Sequence, residues 1–356
     1  MSRFLIDKFA SLVPYVPGEQ PRDMQYLKLN TNESPYPPSP KARALLDDKA
    51  ASLLRLYSDP TGFELVQALS ETLAIPAENL YVTGGSDEAL YYAFLAYCDE
   101  KTPAVFPDVS YGFYPVLADL LGVEAKRIPL REGFRLAAED YFEAGGTVVI
   151  ANPNAPTGRA ITLDDIRAIC AHNRDNAVVI DEAYVDFGAE SALKLLPEFD
   201  NLVVIQTFSK SRSLAGARIS FTAAASAMIE DLVKLKFSIN PYDLTRLSIS
   251  AGAAAVRDTA YFDECRKKIM ATRDYTTKAL RNLGFEVAES LSNFVFAAPR
   301  VMSGEEFYLA MKARGVLVRY FSAERTRDYV RITIGTQEDM ERFAAIAADV
   351  IKEAKK

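Results

Sequence analysis

Leu202-Val203-Val204-Ile205-Gln206-Thr207-Phe208-Ser209-Lys210-Ser211-Arg212-Ser213-Leu214-Ala215-Gly216-Ala217-Arg218 joins an apolar, β-branched run to a loop of small hydroxyl residues around one lysine. Such a run has the composition of a strand buried on both faces, as parallel strands covered by helices are. Val148-Val149-Ile150 and Val178-Val179-Ile180 repeat it upstream, and helical patterns at 114–121 and 163–173 alternate with strand patterns. This alternation predicts an α/β domain with a mostly parallel sheet flanked by helices. Ligands of such sheets gather beyond the carboxyl ends of the strands, and the Lys210 loop falls there.

The residue types in the loop set its chemistry. A lysine sheds its proton when it is buried or set beside other cations, and then serves as a nucleophile. Lys210 would form an imine, while Thr207, Ser209 and Arg218 hold a phosphate beside it. A lysine among serines also suits a solvated surface loop, so the other strand ends must agree.

Three of them do. Leu80-Tyr81-Val82 runs through Thr83-Gly84-Gly85-Ser86-Asp87-Glu88 into a helical pattern from Ala89 to Tyr97. Free amides and the positive end of a helix dipole would meet there, which suits an anion as well as a plain capped helix start. Asn152-Pro153-Asn154-Ala155-Pro156-Thr157-Gly158 makes a rigid turn after the next buried run, and Asp181-Glu182-Ala183-Tyr184 follows the third. A carboxylate at the end of a buried strand is costly without a partner. Asp181 should therefore face a cation, either an Arg or Lys or the ring nitrogen of a pyridinium.

The flanks complete the layout. Residues 14–40 are crowded with Pro, Asn and Gly, which oppose helix and central strand alike, and are expected to lie on a surface. Beyond Ala223 the pattern turns helical, with one long amphipathic run over 245–282, and then α+β: strands at 293–297, 316–318 and 329–334, helices at 304–313 and 337–352. The expected division is an N-terminal arm (1–40), a large α/β domain (41–240), connecting helices (241–282) and a small α+β domain (283–356), the last open to a contribution from the N-terminal end of the large one. Arg319 and Arg331 stand on or beside strands of the small unit, where a guanidinium fork suits phosphate or carboxylate.

Composition removes other classes. With 41 basic against 48 acidic residues in 356, a net charge of −7 does not favour nucleic acid or an anionic membrane, so any phosphate site must be locally basic. Cys98, Cys170 and Cys265 stand far apart, so neither a metal site nor disulfides are expected and a cytoplasmic location fits. No cleavable leader is read in the first 16 residues, and no run approaches the ~20 apolar residues of a membrane helix. His172 is the sole histidine and sits in a helical stretch, which leaves acid-base work to lysine.

Taken together, NPNAPTG at 152–158, DEAY at 181–184 and TFSKSRSLAGAR at 207–218 resemble the pyridoxal-phosphate aminotransferases of fold type I, class I/II. LNTNESPYPPSP at 29–40, GGSDEAL at 84–90, SYGFY at 110–114 and VRITIGT at 330–336 are similar to the histidinol-phosphate aminotransferases among them. The resemblance implies pyridoxal 5'-phosphate bonded to Lys210, which also moves the proton. Asp181 would pair with the ring nitrogen, Tyr184 with the phenolic oxygen, and Tyr111 would stack on the ring. The phosphate would take the amides of Ser86 and Asp87, the side chains of Ser209, Arg218 and Thr207, and Tyr57 from the other subunit of a homodimer. Tyr15, Arg319 and Arg331 would meet the anionic groups of histidinol phosphate and of glutamate or 2-oxoglutarate, in histidine biosynthesis. One departure stands out: the family has asparagine where this chain has Ala155, so that Asn154 or Tyr184 alone would serve the phenolic oxygen. Aromatic amino-acid transamination, threonine-phosphate decarboxylation and a non-catalytic cofactor-binding role are the alternatives.

Overall fold

Residues 2–355 are described by the computed structural model, and their strands fall into three sheets. β1 (Leu27–Lys28) lies in the Pro-rich segment. The large sheet comprises β2 (Leu80–Thr83), β3 (Ala104–Pro107), β4 (Ala125–Ile128), β5 (Thr147–Ala151), β6 (Val178–Asp181), β7 (Leu202–Thr207) and β8 (Ser220–Ala224), in the order β2-β8-β7-β6-β5-β3-β4. β3 to β7 pair in parallel, with Val148 beside Val178 and Val178 beside Leu202. Val178, Val179 and Ile180 have no exposed surface, nor do their neighbours Val203 and Val204. Each such side chain stabilises the sheet by roughly 2 kcal/mol. The expected α/β architecture is the one observed.

β8 was not expected. It runs antiparallel between β2 and β7, second from the edge of the sheet, over residues to which the sequence assigns no element. Ser220-Phe221-Thr222-Ala223-Ala224 mixes small and hydroxyl residues with one aromatic, so its strand propensity is weak. Burial on both faces, at most 3% exposed, decides the matter. Because β8 runs backwards, the residues just before it sit at the carboxyl edge of its parallel neighbours. Arg218 is placed at the site for this reason.

The long run over 245–282 is two helices, Arg246–Arg257 and Thr259–Asn282, broken at Asp258. The first packs Ile249 and Val256 with Leu65 and Leu69 of a helix, Phe63–Leu73, that the sequence reading left unassigned. The second packs Ile269 and Leu280 into the core of the small unit beside Phe294 and Met340. That unit holds β9 (Glu286–Val287), β10 (Phe294–Ala298), β12 (Arg319–Tyr320) and β13 (Val330–Thr333), antiparallel in the order β12-β13-β10-β9. β11 (Val316–Leu317) pairs in parallel with β1. Residues 27–32, read as surface arm, are thereby partly built in: Leu29, Asn30 and Asn32 are at most 2% exposed. This stretch is free of proline, so its backbone can pair. Thr162, Ser303 and Thr336 fix the starts of their helices by capping boxes.

Among the described residues no cluster could hold a metal ion, and no helix is long and apolar enough to cross a membrane. His172 stacks on Phe142 at 3.8 Å and is exposed.

Candidate active site at the carboxyl edge of the sheet

A cavity of about 260 Å³ opens where the strand ends meet the small unit, and Lys210, Asp181 and Tyr184 all line it. Lys210 leaves the end of β7 and donates to the Thr31 carbonyl at 3.2 Å. Burial, then the Arg331 guanidinium, lower its pKa from an ordinary 10.5 to about 8, against the pull of Glu33 and Asp87. Near neutrality it is therefore close to losing its proton, as a nucleophilic amine must be.

Asp181 ends β6, 4% exposed. The Tyr114 hydroxyl donates to it at 2.9 Å and the Ala183 N–H at 3.2 Å. No Lys or Arg among the described residues pairs with it. Burial, with a contribution from Asp87, raises its pKa from 3.8 to about 6. Tyr114, given no role in the sequence beyond closing SYGFY and starting a helix, lies on the first turn of that helix and reaches across to β6.

The helix Ser86–Tyr97 points its first turn at the cavity after Gly85, whose φ of +107° an L-residue rarely adopts. Asp87 accepts from the Tyr111 hydroxyl at 2.9 Å and stands 3.5 Å from Arg218 Nη2. The Arg218 guanidinium crosses Gly85 so closely that a Cβ there would lie 2.5 Å from Nη2. The Thr207 hydroxyl donates to Ser209 Oγ at 3.0 Å on the same rim. Below the turn, the Gly84 N–H is shared by Glu88 at 2.7 Å and Asp243 at 3.0 Å, and Asp243 is paired with buried Lys236 at 2.9 Å. Sequence reasoning gave no hint of this support, whose members are 159 and 7 positions apart.

On the side of the small unit, Arg319 and Arg331 lie directly opposite one another across β12 and β13, and both line the cavity. Arg331 donates to the Asn30 carbonyl at 3.1 Å and lies over Phe294 and Phe321, while its buried Nε has no partner among the described residues. Arg319 donates to the carbonyls of Val16 at 2.9 Å and Pro17 at 3.1 Å. Neither arginine has a carboxylate within ion-pair distance among the described residues. The Tyr15 and Tyr111 rings meet edge to face with their centroids 5.8 Å apart.

Two expected residues are not brought to this cavity. Asn154 accepts from Ser110 at 2.8 Å and donates to the Val109 carbonyl and to Thr157, both at 3.0 Å, so its amide is committed to its own turn. It does not line the cavity, and Ala155 presents only a methyl group there. Asn32 instead, unnoticed in the sequence, donates to the Tyr184 hydroxyl at 2.9 Å. Tyr57 is 78% exposed, stacks on Tyr242 at 4.6 Å and stands away from the cavity of its own chain.

Residues 24–346 match the family model described as "Aminotransferase class I and II". A histidinol-phosphate aminotransferase of Marinomonas sp. is 48% identical over 97% of this chain and 99% of its own length. Another, from Brachyspira hyodysenteriae, is 44% identical over 99% of this chain and the whole of the relative. Among solved structures, histidinol-phosphate aminotransferase from Sinorhizobium meliloti in complex with pyridoxal-5'-phosphate shares the fold, with a TM-score of 0.83 and 24% identity over 92% of this chain and 91% of that one.

Proposed function

The chain belongs to the class I and II aminotransferases, and from that premise we propose that it exchanges an amino group between histidinol phosphate and 2-oxoglutarate in histidine biosynthesis. It is a pyridoxal-phosphate-dependent transferase. When bound, the cofactor supplies an aldehyde that accepts an amine and a protonated ring that withdraws electrons. The residues present suit that group. Asp181 is a buried carboxylate lacking a cation, as a site for a protonated ring nitrogen requires. Gly85 leaves room for Arg218 beside a helix N-terminus, as a phosphate requires.

Each side chain then has a task. Lys210 Nζ would hold the aldehyde and, when free, would accept and return a proton. Asp181 keeps the ring nitrogen protonated, and Tyr114 holds Asp181 in place. Tyr184 donates to the phenolic oxygen, and Tyr111 covers the ring face. Ser86 and Asp87 amides, Thr207, Ser209 and Arg218 hold the phosphate, together with Tyr57 of a second copy. That copy makes the site a shared one in a homodimer, which fits the exposure of Tyr57, Leu56, Phe63, Phe237 and Ile239. Sedimentation at the mass of one chain, with full cofactor affinity, would remove the dimer from this reading. A cytoplasmic location accords with the three free cysteines.

The observation that carries the substrate is the Arg319–Arg331 pair. Like charges directly opposed on neighbouring strands are destabilising, and with no carboxylate at ion-pair distance among the described residues the pair suits an anion. A phosphate monoester or a second carboxylate meets that need, and the apolar ring of phenylalanine does not. Tyr15 stands at the same rim to contact the substrate. Single-turnover mixing of the loaded enzyme with each amine, followed in the visible band of the cofactor, tests this. Histidinol phosphate and glutamate should each discharge the band. Phenylalanine should be at least about tenfold less efficient, the worth of ~1.4 kcal/mol of lost ion pairing. Equal efficiency with phenylalanine would favour the aromatic enzyme, and carbon dioxide release without an oxoacid would favour a decarboxylase.

A further inference from the structure

We propose that Asn32 is a positioning residue that sets the direction of the Tyr184 O–H, the one donor left to the phenolic oxygen where Ala155 supplies none. The proposal rests on the reading above that Tyr184 faces the phenolic oxygen of the cofactor.

Asn32 is 1% exposed, with φ +56°, and its groups are tied on every side. Its backbone N–H donates to Thr333 Oγ1 at 2.9 Å, and the Thr333 hydroxyl donates to Asn32 Oδ1 at 3.1 Å. Asn293 Nδ2 donates to the Asn32 carbonyl at 3.0 Å. The Thr333 hydroxyl has a single proton and is 3% exposed. Were the Asn32 amide turned over, that proton would face an NH₂ group and lose its only acceptor among the described residues, leaving a buried donor unpaired. The amide is thus fixed with Nδ2 towards Tyr184, where it donates at 2.9 Å.

The consequence is a proton assignment. A phenol has one proton, and an oxygen that accepts from Asn32 must send that proton elsewhere. Tyr184 lines the cavity, so its proton is free for an acceptor within it. Ala155 supplies no second donor, and Asn154 is committed to its turn. The amide that supports Tyr184 thus lies on the segment after β1, anchored on β13 of the small unit. A left-handed backbone at Asn32 suits this use, because asparagine tolerates that conformation where most side chains do not.

The test reads the pH midpoint of the visible absorption of the bound cofactor, together with the cofactor dissociation constant. Neither depends on turnover. A hydrogen bond donated to the phenolic oxygen favours its anionic form, so losing it makes the oxygen hold its neighbouring proton more tightly and raises the midpoint. Tyr184→Phe should raise it by about one pH unit. Asn32→Asp keeps the shape but accepts only, takes the tyrosine proton for itself, and should raise the midpoint as far as Tyr184→Phe does. Asn32→Gly keeps the left-handed backbone, frees the hydroxyl rotor, and should give a smaller rise. In the Tyr184→Phe background Asn32→Gly should add nothing. A midpoint moved by Tyr184→Phe but unmoved by Asn32→Asp and Asn32→Gly, or additive effects in the double variant, would overturn the proposal while leaving the role of Tyr184 intact. A midpoint unmoved by Tyr184→Phe would overturn both.

Discussion

Asp181 shows how a single residue can cost the fold and serve the site. Its carboxyl titrates at 3.8 when unfolded and at about 6 in the cofactor-free fold, so the folded chain holds that proton more tightly than the unfolded one. Below 3.8 both states are protonated and nothing is lost. Between 3.8 and about 6 stability falls as pH rises, and above that the full deficit applies, roughly 3 kcal/mol for a shift of about two units. In the cofactor-free protein Asp181→Asn should therefore raise the melting temperature at pH 7, by up to about 3 kcal/mol of stability, and leave it unchanged near pH 3.5. The same substitution should weaken cofactor binding at pH 7. Calorimetry at the two pH values, with and without cofactor, checks both signs, and a loss of stability in the cofactor-free form would contradict the assignment. Asp181 and Lys210 were legible in the sequence because one directly follows a buried run and the other stands in the loop just beyond one. Asn32 was not, because its partners Tyr184 and Thr333 are 152 and 301 positions away. No local pattern marks such a contact.

At the scale of elements, the apolar periodicity gave β5, β6 and β7, and the helical patterns gave the helices that start at 163, 304 and 337, each of which the fold begins with a capping box. It failed where tertiary burial overrides propensity, as in β8, and where a break falls at one residue, as at Asp258. It also failed at β1, whose partner β11 lies near the other end of the chain. Missing β8 had a cost at the site, since its reversed direction explains from physics why Arg218 reaches the turn at Gly85. The turn between β2 and the helix Ser86–Tyr97 makes the same point. Gly85→Ala would require an L-residue at φ +107° and a methyl group against the Arg218 guanidinium. Strain of about 1–3 kcal/mol at such a position should weaken cofactor binding about tenfold or more. Equilibrium dialysis measures this, and unchanged affinity would show that the turn does not form the cradle.

As a whole molecule, the chain carries a net charge of −7 yet gathers Lys210, Arg218, Arg319 and Arg331 around one cavity. The cavity draws on two units: the strand ends of the large sheet bring Lys210, Asp181 and the turn before Ser86, while the small unit brings the paired arginines and, through Thr333, the anchor of Asn32. Composition could say only that any phosphate site must be locally basic. The ordering of motifs supplied the family, and the placement of the small unit over the sheet edge supplied the cavity. All of it depends on Lys210 being the residue that bonds the cofactor. The direct measurement is to load the protein with pyridoxal phosphate, reduce it with borohydride, digest it and locate the modified peptide by mass. The account predicts one modified site per chain, at Lys210, and none at that position after Lys210→Ala, which should retain some cofactor non-covalently and lose turnover. Modification at another lysine, or a Lys210→Ala enzyme that still turns over, would contradict it.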